Sequence, residues 1–175
     1  MKSIKIIIGF AIIGILLIVS CKLPDSMGTV NVNRELSSTI ILKGIIPNQT
    51  FDSIYQVNVF DLKSTVKDKT GSSSNLTDLN LIKIKLLIAD SIDLTFADLS
   101  ETTLLIGNET LVGLATDTSK KSLNFVLPDR ITNVNYKDIY NLNKPLEIRY
   151  KGKAINLIDT LYIKAVYTFR IKGKI

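Results

Sequence analysis

The last stretch of the chain alternates almost without fault. Leu161, Ile163, Ala165, Tyr167, Phe169 and Ile171 share one parity, while Tyr162, Lys164, Thr168, Arg170 and Lys172 share the other, with Val166 the single apolar exception. A period of two is that of a β-strand with one buried and one wet face, the usual pattern of an antiparallel sheet. Leu146, Ile148 and Tyr150 alternate with Glu147, Arg149 and Lys151 in the same way. In residues 81–89 the pattern sets Ile82, Ile84, Leu86 and Ile88 on one face and Lys83 and Lys85 on the other. Near the start of the body, Val30, Val32, Leu36, Ile40 and Leu42 oppose Asn31, Asn33, Glu35 and Thr39. Arg34 and Ser38 interrupt that order, so a bend or bulge is expected there.

Residues 54–62 and 121–127 read as further strands, and 91–96 as an extension of the sheet. Gly107-Asn108 between two apolar runs predicts a hairpin. Pro47-Asn48 and Pro128-Asp129 mark turns, and Gly71-Ser72-Ser73-Ser74-Asn75 marks a loop. Residues 97–101 suit a helical turn or loop, and 136–140 one short helix. Many short strands with polar turns predict an all-β fold. We expect one antiparallel β-sandwich over residues 29–175, immunoglobulin-like or jelly-roll-like, with about seven to nine strands and one or two short helical turns. A closed barrel is the alternative.

The N-terminus follows other rules. Met1-Lys2-Ser3-Ile4-Lys5 is basic, and residues 6–19 are fourteen uncharged, mostly apolar positions. A membrane-spanning helix needs about 20, so the run fits the core of an export signal. It ends at Ile18-Val19-Ser20-Cys21, and Cys21 is the only cysteine of the 175 residues. This resembles the lipobox of bacterial lipoproteins. An uncleaved signal anchor or a buried core helix is the alternative. The resemblance implies a helical signal peptide over 1–20, cleavage between Ser20 and Cys21, a diacylglycerol thioether on Cys21, and a lipidated tether over 21–28. It also implies a bilayer as partner and a place in the cell envelope. Lys22, in place of an aspartate, suits the outer membrane under the enterobacterial sorting rule. The body has a resemblance of its own. Leu81-Ile-Lys-Ile-Lys-Leu, then Phe96-Ala-Asp-Leu-Ser, Thr103-Leu-Leu-Ile-Gly, Lys137-Asp-Ile-Tyr and Leu146-Glu-Ile-Arg-Tyr-Lys-Gly look like small β-sandwich lipoproteins of Bacteroidota-type bacteria. That family brings no catalytic residue with it.

Composition narrows the chemistry. Loss of Lys2 and Lys5 with the signal takes the formal charge from +6 to +4. The chain has no His and no Trp, which removes Ser-His-Asp and Cys-His catalysis and the ordinary zinc sites. We expect no enzyme, no metal, no cofactor and no nucleic-acid partner. Asp90, Asp93, Asp98 and Glu101 are the densest acids. Calcium is weighed there against solvated strand ends, with Asp98 expected to cap a turn over 99–102. A glycosidase would need two carboxylates facing across a cleft. Tyr136, Tyr140, Tyr150, Tyr162 and Tyr167 gather in the last third. Tyr167 falls on the apolar parity and Tyr162 on the polar one, so Tyr162 is the better candidate for contact with an envelope protein or glycan, weighed against ordinary sheet packing of these rings. An apolar-ligand or lipid carrier and a carbohydrate-binding, adhesive module are the alternatives to a binding or structural role. Asp25-Ser26-Met27, Asp52-Ser53-Ile54, Asp90-Ser91-Ile92 and Asp159-Thr160-Leu161 resemble the O-glycosylation triplet of Bacteroidota.

Overall fold

The computed structural model describes residues 28–115 and 120–175. The expected signal peptide, Ser20, Cys21 and the tether up to residue 27 lie outside the described residues. The elements are β1 (Thr29–Ile45), β2 (Thr50–Val57), α1 (Lys63–Thr70), β3 (Leu76–Ile88), β4 (Leu99–Ile106), β5 (Glu109–Ala115), β6 (Ser122–Phe125), α2 (Asp129–Thr132), α3 (Lys137–Asn141), β7 (Leu146–Ala154) and β8 (Ile158–Lys174).

The fold is all-β and antiparallel, as expected. Among the described residues eight strands run in the order β1-β8-β3-β6-β5-β4-β7-β2. β5 belongs to both layers. Its first half pairs with β4 (Glu109↔Ile106 to Val112↔Thr103) and its second half with β6 (Gly113↔Phe125 to Ala115↔Leu123). A strand that changes partners midway makes the corner of a sandwich. On the far side, β1 and β2 are joined through residues 46–49, so the sheet nearly closes. One face of every strand feeds a single core, in which Tyr140, Tyr150, Tyr167, Phe169, Ile40 and Leu86 are fully buried.

β8 keeps the expected alternation: Leu161, Ile163, Ala165, Tyr167, Phe169 and Ile171 are all buried. It is the spine of its layer, pairing with β1 on one side and β3 on the other. The Gly107-Asn108 hairpin forms between β4 and β5, with Gly107 at φ 59°.

Several local expectations are corrected. The β1–β8 register is unbroken past Arg34 (opposite Phe169) and Ser38 (opposite Ala165). The change of face comes later, at Gly44, whose φ of 62° lets Leu42 and Ile45 both turn inward. In β3 the pairing steps from Leu81↔Phe169 to Lys83↔Thr168. Ile82 is the extra residue of a bulge, so Leu81 takes the buried place expected for it. Residues 91–96 form no strand. Asp98 caps no helix over 99–102; it ends a single 3-10 turn, Phe96–Asp98, and β4 starts at Leu99. Residues 59–62 are also a 3-10 turn, Val59–Leu62, not a continuation of β2. After it comes α1, which ends at Gly71 (φ 78°), where the Gly71 N–H donates to the Lys67 carbonyl at 2.8 Å.

Candidate functional site

Tyr162 lies on the outer face of β8 with half its surface exposed, directly opposite the equally exposed Ile41 of β1. Tyr136, Tyr140, Tyr150 and Tyr167 are buried. Burial pushes all four phenols up; for Tyr167 a hydrogen bond with Ser38 (3.2 Å) offsets part of the effect. They do not line up as an exposed aromatic row of the kind that would stack on sugars.

The same outer face carries cations that strand-by-strand reading did not bring together. Lys83 and Lys85 stand on β3, and Lys164, Arg170, Lys172 and Lys174 on β8. The register interleaves them: Lys83 opposes Thr168, Lys85 opposes Val166, and Lys172 opposes Asp78. Their signal in the sequence is lysine on the polar parity of two strands. What the sequence hides is that β3 and β8, some eighty residues apart, are neighbours.

Two clefts open to the surface flank a bulge in β4, where pairing with β7 steps from Ser100↔Lys153 to Thr103↔Lys151. Glu101 sits in this bulge at φ 54°. One cleft, about 420 Å³, has Phe96, Leu99 and Leu123 beneath it and Glu101 and Val112 at its rim. The other, about 430 Å³, is lined by Phe51, Asp52, Glu101 and Lys151. It brings two carboxylates to one cleft, but Asp52 is ion-paired to Arg149 (2.9 Å) and Lys151 (3.4 Å). Tyr150 lies under this region. Its hydroxyl neighbours that of Thr102, which partly offsets the upward push of burial, yet neither oxygen makes a well-formed hydrogen bond.

The acids of residues 90–101 do not converge. Among the described residues no three carboxylates, cysteines or histidines gather as a metal site. Asp98 turns into its own loop instead. It accepts hydrogen bonds from the Thr95 N–H (2.8 Å), the Thr95 hydroxyl (3.1 Å) and the Asn156 amide (2.6 Å). Partial burial raises its pKa, but these bonds outweigh it and hold the carboxyl below its ordinary 3.8. A depressed folded pKa means that the stabilisation is fully present above pH 3.8 and is lost as pH falls through the lower folded value. Asp98→Ala is expected to cost about 1 kcal/mol, the usual worth of a capping acceptor. Urea unfolding at neutral pH and at acid pH should show the wild-type advantage shrinking on acidification. An advantage unchanged at the acid end would refute this role.

Of the glycosylation-like triplets, Ser91 and Thr160 are exposed, Ser53 is half-buried, and Ser26 is outside the described residues. Among the described residues no helix is long and apolar enough to cross a membrane. Compared with protein-family models, curated proteins and solved structures, the chain matches none.

Proposed function

We propose that this chain is a lipid-anchored protein of the cell envelope, held by acylated Cys21 and acting as a non-catalytic binding or structural module, with an envelope protein or glycan as its partner. The observation that carries this reading is the order of basic start, fourteen uncharged residues, Ile18-Val19-Ser20 and the sole cysteine. A thiol is the group a thioether-linked lipid requires, and small Ser20 leaves the bond before Cys21 accessible. One acyl chain binds a bilayer only marginally, whereas two or three hold durably at about 0.8 kcal/mol per buried CH₂.

The body is consistent with this arrangement. Gly28 leaves β1 at one end of the sandwich, where its carbonyl accepts the Ile175 N–H at 2.9 Å. The stretch from Cys21 to Gly28 spans at most about 28 Å when extended, so the body stays close to its anchor. β1, seventeen residues long, carries the chain roughly 55 Å to the opposite end. There the exposed Ile46, Ile155 and Leu157 occupy the turns before β2 and β8. A second reading, carriage of an apolar ligand, draws support from Phe96, Leu99 and Leu123 beneath the first cleft.

Cys21→Ser tests the anchor. We expect lipidation and cleavage before Cys21 to stop, so that only the uncut precursor accumulates and no mature, lipid-held species forms. A variant cut and retained like the wild type would overturn the reading.

A further inference from the structure

The outer face of β3 and β8 is built unlike the rest of the surface. Along β8, Lys164, Arg170, Lys172 and Lys174 extend over roughly 34 Å, and Lys83 and Lys85 lie one strand away, about 5 Å across the sheet. Among the described residues Glu35 and Asp78 stand on the face itself, and Asp90 lies at its edge, lining one surface pocket with Lys85 and Lys164. Glu35, on β1, faces Thr168, whose hydroxyl lies 3.5 Å from it, and Asp78, opposite Lys172, is hydrogen-bonded by the Asn135 amide at 2.8 Å. Among the described residues none of the six cations forms an ion pair. Side chains on paired strands are fixed in register, so these charges act together on one partner surface. Among the described residues only Tyr162 offers an exposed ring on this face, which does not suit the repeated base stacking of single-stranded nucleic acid. Tyr162 and Ile41 instead close the distal end of the row with the amphipathic chemistry found at bilayer interfaces. At the proximal end, Lys174 pairs with Thr29, next to the residue where the chain turns toward Cys21.

We infer that this face is a docking surface for an anionic lipid bilayer, on which the sandwich lies by Lys83, Lys85, Lys164, Arg170, Lys172 and Lys174 with Tyr162 at its rim. Clustered lysine and arginine close to a membrane are drawn to anionic headgroups over about a Debye length, near 8 Å at physiological salt. The inference rests on the proposed anchor only in that the anchor brings the face within this range.

The test uses the mature protein on vesicles of phosphatidylcholine alone or mixed with phosphatidylglycerol. Amine labelling by a water-soluble reagent is read lysine by lysine in the mass spectrometer. Flotation with neutral vesicles reads the anchor, and the difference in labelling between the two lipids reads the face. Lys83, Lys85, Lys164, Lys172 and Lys174 are expected to label about fivefold or more slowly on the anionic vesicles, and the protection to vanish at about 1 M salt. Lys67, Lys69 and Lys144, on α1 and after α3, are expected to label alike on both. Equal labelling of the face lysines on both lipids would overturn the inference. So would equal protection of the control lysines, or protection by a soluble acidic polysaccharide without protection by anionic vesicles.

Discussion

Phe169→Ala is expected to lower stability by about 3–5 kcal/mol, the cost of deleting a buried phenyl ring. Domains of this size are stable by only about 5–15 kcal/mol, so much of the total is at stake. Phe169 is fully buried near the middle of β8, opposite Leu81 of β3 and Arg34 of β1. β8 is hydrogen-bonded on both sides along most of its length, so its backbone has little freedom to collapse into the space left behind. The Leu81–Lys83 bulge next to it fixes the β3 side as well. Urea unfolding measures the effect. Lys164→Ala, on the outer parity of the same strand, is the reference and should change stability by less than about 0.5 kcal/mol. A Phe169→Ala loss below about 1 kcal/mol would mean that the inward parity of β8 is misassigned.

Gly152→Ala is expected to destabilise by about 1–3 kcal/mol through overpacking. Gly152 of β7 lies directly opposite Phe51 of β2, and the ring covers the place a side chain would take. A Cβ there would fall 2.4 Å from Phe51 Cζ and 2.9 Å from Cε1. The ring cannot swing away easily, because it also packs on Tyr150 at 5.2 Å between centroids. An aromatic laid over a cross-strand glycine is a known way to pin register in a sheet. Phe51→Leu in the Gly152→Ala background should recover part of the loss, while Phe51→Leu alone should destabilise. A double-mutant cycle with no coupling would contradict the contact.

These two positions show how far the sequence can be read. Phe169 was legible, since alternation over residues 161–171 places it inward without knowledge of any partner strand. The Gly107-Asn108 hairpin was legible for the same reason, because its signal is local. Phe51 over Gly152 was not. It depends on β2 pairing with β7, a contact between strands about a hundred residues apart. Bulges escaped as well. The run 81–88 reads as strict alternation, yet Leu81 is buried and Ile82 half-exposed, because the extra residue is set by how β3 meets β8. α1 has only Val66 and Thr70 buried among its eight residues, too few for a helical apolar stripe. The turn before β4 could have been found: Thr95 and Asp98 stand at capping-box spacing, and both halves of the box form. As for function, Cys21 and Tyr162 stood out in the sequence, one by solitude and the other by parity. The cation row did not, because it exists only once β3 lies beside β8.

The most direct measurement is the intact mass of the protein extracted from the envelope of its own host, with the N-terminal peptide sequenced by fragmentation. The account predicts a chain that begins at Cys21 and is heavier than the polypeptide by a diacylglycerol, with or without a further amide-linked acyl chain. A chain that still begins at Met1, or one that begins elsewhere with Cys21 as an unmodified thiol, would contradict it.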